Sequence, residues 1–154
     1  MWRSLSGSRV EDIAAEVGRL MGLHQRLIHV GTDSKHRGFH TDFVTVIALL
    51  DPGRGGLVYY ERSREPRMRS LAQKLFKEAE LSLVAATRIA EVVGQRIVVH
   101  VDANADERHR SSRYVQALAG MVLGHGFQVQ VKPNAWCATH VADYVVKEKH
   151  RKAA

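Results

Sequence analysis

Apolar residues recur at helical spacing near the start of the chain, at Val10, Ile13, Ala14, Val17, Leu20 and Met21. Ser8 with Glu11 three residues later reads as a capping box, so the spacing predicts a helix over 8–22. From Arg26 the pattern turns extended. A β-rich run ends at Asp33, a polar loop carries Ser34, Lys35, His36, Arg37 and Gly38, and a second strand runs from about Thr41 to Leu50. Asp51-Pro52-Gly53-Arg54-Gly55-Gly56 is turn chemistry, after which Leu57 to Glu61 resumes the extended pattern with Val58, Tyr59 and Tyr60. Three strands joined this closely predict an antiparallel meander.

Pro66 suits the first turn of a helix reaching about Val93, with Leu71, Leu75, Ala79, Ala86, Ile89 and Ala90 along one face and Gly94 as its stop. Ile97 to Asp102 is a short, nearly continuous apolar run, the pattern of a central parallel strand covered on both faces. A helix over Ser111 to Leu123, a strand over Phe127 to Val131 and a last helix around Thr139 to Lys149 complete the series. The expected order is an N-terminal helical extension over 1–24, then a βββαβαβα domain over 25–150, with a basic tail from Lys147 to Lys152.

Composition narrows the class. With 154 residues, of which 45% are hydrophobic, the chain suits one domain with a proper core. Cys137 is the only cysteine, which excludes an internal disulfide and a thiolate-built zinc site. A reducing cytoplasm is the expected compartment. There is no apolar run near the roughly 20 residues that span a bilayer, and no signal-peptide pattern. Lys and Arg total 23 against 16 Asp and Glu, a net charge of +7 that attracts polyanions at long range.

Two strands end in aspartate, at Asp33 and at Asp102. A helical crossover from the meander allows the first and fourth strands to lie parallel and adjacent, so that both carboxylates meet where open α/β sheets place ligands. Carboxylates that close repel unless a cation lies between them, and their hard oxygens suit Mg²⁺ or Mn²⁺. Alone, each aspartate reads more readily as a loop starter than as a ligand. The long helix adds Glu78 beside its apolar face, while Glu80 points largely to the opposite side; a shift of the packed face would exchange the two. Asp143 follows His140 by three positions on the last helix and is a candidate fourth ligand.

The nine histidines form no zinc spacing. His29 and His100 share strand phase with the aspartates but lie too deep, which marks them as core histidines. His36, His40 and His140 lie nearer the proposed site. Cys137 has no adjacent base and reads as packing. Gly53, Gly55 and Gly56 precede no helix and are turn glycines. Aromatics at 6% offer no extended stacking platform.

The chain resembles the YkuK-like group of bacterial ribonuclease-H-like proteins. The resemblance runs through Val30-Gly31-Thr32-Asp33-Ser34, Lys77-Glu78 with Leu81-Ser82-Leu83, Val99-His100-Val101-Asp102, Gly120-Met121-Val122, Gly126-Phe127-Gln128-Val129, Lys132-Pro133, and Ala138 with Val141-Ala142-Asp143. It covers roughly residues 27 to 147, its motifs recurring in order. It implies a five-stranded mixed sheet of order 3-2-1-4-5, the first three strands antiparallel, flanked by helices. It further implies metal ligands at Asp33, Glu78, Asp102 and Asp143, and two-metal hydrolysis of phosphodiesters.

The expected function is therefore a Mg²⁺- or Mn²⁺-dependent nuclease acting on RNA, DNA or a hybrid, with Lys35, Arg37, Arg113 and Lys132 placed to meet phosphates. The rival is a non-cleaving nucleic-acid-binding or adaptor module on the same fold. A third reading is hydrolysis or phosphoryl transfer on small nucleotides.

Overall fold

The computed structural model describes residues 1–94 and 96–142. Twelve of these elements follow in order: β1 (Trp2–Ser4), β2 (Arg9–Val10), α1 (Ile13–Leu23), β3 (Leu27–Arg37), β4 (His40–Asp51), β5 (Gly55–Pro66), α2 (Leu71–Val93), β6 (Ile97–Asn104), a 3₁₀ turn (Arg110–Tyr114), α3 (Val115–Gly124), β7 (Gln128–Lys132) and a π-helical segment (Cys137–Ala142). The strands form one mixed sheet in the order β2-β1-β5-β4-β3-β6-β7. The expected order of five strands appears as its run β5-β4-β3-β6-β7, but the sheet has seven. The two additional strands come from the first ten residues, where a hairpin too short to show a period of two pairs β1 with β5.

That hairpin also displaces the expected helix start. The cap of α1 is Asp12, whose carboxylate accepts from the Ala15 N–H, rather than Ser8. Ile13, Val17 and Leu20 then face the core, as their spacing requires. Pro66 is a second correction. It closes β5 in register with His40, at a strand end where a missing N–H is tolerated, and Ser70 caps α2 instead by accepting from Gln73 N–H. At the other end Gly94 adopts φ of 78° and returns its N–H to the Ala90 carbonyl, as the expected stop does.

The meander is long. β3 pairs antiparallel with β4 from Leu27↔Leu50 to Arg37↔His40, and β4 with β5 from His40↔Pro66 to Asp51↔Gly55. The α2 crossover then brings β6 parallel to β3, over a ladder of only four pairs that ends at Gly31↔His100. β6 continues parallel to β7.

Two cores result. α1, α2 and α3 cover one face, where Val30, Ile47, Leu49, Ile97 and Val99 meet Leu75, Ala79, Ala86, Ile89, Leu118 and Val122. Val44, Val46 and Ala48 pack on the other face against Cys137 and Ala142. The Cys137 thiol is fully buried, and burial pushes its pKa up, in keeping with packing rather than nucleophilic chemistry. The last helix expected over Thr139–Lys149 falls mainly outside the described residues; within them, Val141 packs against this second core. Among the described residues no helix is long and apolar enough to cross a membrane.

The face assignment of α2 has a direct measure. Ile89 is fully buried, whereas Val84 on the same helix is 62% exposed. Denaturant unfolding of Ile89→Ala is expected to show a loss of about 2–5 kcal/mol, while Val84→Ala changes stability by less than about 0.5 kcal/mol. Comparable losses in both would place the buried face elsewhere.

Candidate active site at the parting of two parallel strands

Beyond Gly31 and His100, β3 and β6 no longer pair with each other. β3 stays with β4 up to Arg37, and β6 stays with β7, so a gap opens at the C-terminal ends of the two parallel strands. This is the position where sequential connections leave to opposite sides of the sheet. Two residues past the last pair on each strand stand Asp33 and Asp102.

Both side chains emerge on the face away from α2. Asp33 alternates with Thr32 and Ser34, whose hydroxyls bond to α2: Thr32 to Ser82 at 2.7 Å, and Ser34 to Glu78 at 2.5 Å. Asp102 alternates with Val101 and Ala103, which belong to the helix-covered core. It also sits at an irregularity, because β6 and β7 pair at Val101↔Val131 and next at Asn104↔Lys132, leaving Asp102 and Ala103 without counterparts. Such a bulge re-aims the side chain it carries. The Lys132 ammonium reaches Asp102 at 2.7 Å.

Glu78 approaches from α2 and is 2% exposed, while Glu80 is exposed and shares Lys77 with Glu65. The helix phase that separated the two is therefore the observed one. One Glu78 oxygen accepts from Ser34, but its Oε2 is buried without a partner. Burial raises the Glu78 pKa to about 8; the Ser34 hydrogen bond and Lys74 oppose the rise, and the charges of Asp102 and Asp33 add to it. The three carboxylates thus feel one another electrostatically, although Glu78 lies on the α2 side and the aspartates on the other. Among the described residues, no three acidic, histidine or cysteine side chains converge closely enough to hold one ion. Asp143 lies outside the described residues.

Deeper on the aspartates' face is a hydrogen-bonded histidine pair. The Cys137 N–H donates to His100 Nδ1, which puts the His100 proton on Nε2 and lets it donate to His29 Nδ1 at 2.8 Å. Trp136 packs on both rings. Burial brings the His100 pKa down to about 4, helped by His29, and lowers that of His29 as well. His100 is thus a buried histidine with both ring nitrogens hydrogen-bonded, and His29 is half-buried beside it.

The four basic residues expected near the site separate. Arg37 is ion-paired with Asp42, which also holds Arg64, and Lys132 is on Asp102. Lys35 is exposed. Arg113 lines a cavity of about 320 Å³ with Arg69, Ser70, Leu71, Arg110 and Tyr114. Arg69 and Arg110 escaped the sequence reading because one precedes α2 and the other precedes α3, and no linear pattern joins them. The role of Ser34 was available from alternation alone, since it must face opposite to Asp33.

The Glu78 carboxyl ties stability to pH. Its pKa is raised in the folded protein, so the native state holds a proton that the unfolded chain releases from about pH 4.5 upward. Stability must fall as pH rises through about 8. The lowered His100 and His29 values work in the opposite direction, costing stability only as pH falls below their usual 6.5. Between pH 6.5 and 8, metal-free protein is therefore expected to lose up to about 1.4 kcal/mol per pH unit in urea unfolding, and Glu78→Gln to flatten that slope. An unchanged slope in the variant would assign it to another group.

A family model described as ribonuclease H-like matches residues 10–147. RNase H1 from the halophilic archaeon Halobacterium salinarum NRC-1 is a solved structure similar to this chain at 20% identity. The alignment covers 79% of this chain and 98% of that one, with a TM-score of 0.41. No curated protein matches it. With the family match spanning nearly the whole described sheet, both parted strands included, the chain belongs to the ribonuclease H-like family.

Proposed function

We propose that the protein is a divalent-metal-dependent nuclease that hydrolyses phosphodiester bonds in RNA, DNA or an RNA/DNA hybrid. The observation that carries this reading is the pair Asp33 and Asp102 on one face at the parting of β3 and β6, with the buried Glu78, whose Oε2 has no partner, coupled electrostatically to both from the α2 side. The donor chemistry fits Mg²⁺ or Mn²⁺: hard carboxylate oxygens, one of them buried and unsatisfied. Asp33 and Asp102 would be the central ligands, Glu78 would complete the set from α2, and Asp143 is proposed from the sequence alone. When bound, such ions activate water and stabilise the leaving oxygen.

The chain's own groups have separable tasks. Ser34 fixes the Glu78 carboxyl by its hydroxyl. Lys132 neutralises Asp102 in the absence of a cation, and once displaced its ammonium is at hand for a phosphate oxygen. Lys35, Arg37 and Arg113 are proposed to meet phosphates further along the strand. A reducing cytoplasmic location agrees with the single free thiol. A separation into a 1–24 extension and a 25–150 catalytic domain is also proposed, and deletion of 1–24 would remove the β1–β2 edge and α1 from the core.

One observation favours the rival, a non-cleaving nucleic-acid-binding or adaptor module: Lys132 already occupies Asp102, a pairing that needs no metal. Calorimetric titration with Mg²⁺ or Mn²⁺ separates the two, because the nuclease must bind the ion and the adaptor need not. In the nuclease, labelled single strands, duplexes and hybrids are cleaved with either ion and not with a chelator. Asp33→Asn or Asp102→Asn is expected to abolish cleavage, and Asp33→Asn to raise the melting temperature of the metal-free protein by relieving carboxylate repulsion. Full cleavage by both variants, purified free of contaminating nucleases, would end the assignment.

A further inference from the structure

Phe39 is 96% exposed, the most exposed of the large apolar side chains. It stands at the tip of the β3–β4 hairpin, directly after Gly38, whose φ of 59° makes the turn. A lone exposed aromatic is ordinary. Here, though, its backbone is tethered. The Arg67 N–H donates to the Phe39 carbonyl at 3.0 Å, and the Arg67 guanidinium to the Gly38 carbonyl at 2.9 Å. Met68 N–H donates to Thr41 on β4. The tip is thereby joined to the short segment that enters α2, and Arg69, two residues beyond Arg67, opens the cavity shared with Arg110 and Arg113.

The charge along this path is predominantly positive, although Asp106, paired with Arg108, and Glu107 lie just before Arg110. Among the described residues, Arg69, Arg110 and Arg113 make no ion pair, whereas nearby acids are already engaged: Asp42 with Arg37 and Arg64, Glu65 with Lys77. His36, on the same hairpin, is held below its usual pKa by partial burial and then by the cations of Arg67 and Lys74, which places both charges beside the tip. An exposed ring at one end of a cationic track, with a three-arginine cavity at the other, matches a strand whose bases are free to stack and whose phosphates follow the arginines. Paired bases offer no open face to such a ring except at a duplex end.

We propose that Phe39 is a stacking site for an unpaired base, and that Arg67, Arg69, Arg110 and Arg113 carry the adjoining phosphates of a single-stranded segment. This deepens the nucleic-acid reading above and rests on it. The hairpin fixes the ring in the turn beyond the end of β3, six residues past Asp33, so it acts in gripping the nucleic acid rather than in the reaction.

Fluorescence anisotropy of the full-length protein in a chelator, where no cleavage occurs, tests this with a short labelled single strand and a blunt duplex of the same sequence. Phe39→Ala is expected to weaken single-strand binding roughly 5- to 150-fold with its salt slope unchanged, and to leave the blunt duplex nearly unaffected. Arg69→Ala or Arg110→Ala should each reduce the salt slope by about 0.7. Phe39→Trp should bind as the parent does and show fluorescence quenching by the strand beyond that of Trp2 and Trp136 in the parent. If the parent binds strands and Phe39→Ala binds them equally well, the stacking site is wrong while the nucleic-acid reading stands. Equal losses on strand and duplex would overturn the preference for unpaired bases. If the parent binds neither at low salt, the reading beneath the proposal fails with it, and the exposed ring belongs to a protein contact.

Discussion

The short parallel contact between β3 and β6 is the constraint on which the site depends. Four residue pairs are enough to fix the two strands side by side, and the ladder stops at Gly31↔His100 because each strand then follows its own neighbour. Had the pairing continued, the backbone groups of Asp33 and Asp102 would be locked in a flat sheet with no room between them. Its early end produces a gap, and the Asp102–Ala103 irregularity widens the freedom of one wall. The two aspartates stand at that gap on one face, Lys132 is paired with Asp102, and Glu78 is buried on the α2 side.

Electrostatics in this gap follow from burial more than from distance. Glu78 is buried and, among the described residues, accepts one side-chain hydrogen bond, from Ser34; burial holds it in its neutral form up to about pH 8. Asp102 solves the same problem differently, through Lys132. A neutral acid and an ion pair are two ways a protein can place carboxylates together without a metal ion. Both devices are reversible by one, since a divalent ion supplies the charge that each replaces.

The floor beneath the aspartates is of a different kind. His29 and His100 exchange one hydrogen bond in a fixed direction set by the Cys137 N–H, and Trp136 seals their rings. This hydrogen-bonded pair joins β3 to β6 near the last rung before they part, at His100, and ties the Cys137 segment to it. The histidine pair and the gap are adjacent on the same two strands.

Much of this was legible along the chain, and the division has a physical cause. Local rules act through neighbouring residues, so the alternation around Asp33, the apolar run into Asp102, the phase that buries Glu78 and exposes Glu80, and the Gly94 stop could all be read from spacing, while the order of the five main strands came with the family resemblance. The first ten residues failed because a hairpin with strands of three and two residues carries no period, and Pro66 failed because the length of β5 is set by its partner β4 rather than by its own composition. Tertiary structure alone decided which charges meet. Lys132 on Asp102, Arg69 with Arg110 and Arg113, the tether between Arg67 and the Phe39 tip, and the orphaned oxygen of Glu78 all join residues far apart in sequence. Their encounter depends on register and crossover, to which no local pattern is sensitive. The sequence by itself determined which residues face which side of each element; the packed sheet determined which of those faces share a gap, because electrostatic and hydrogen-bond partners are chosen by distance in space.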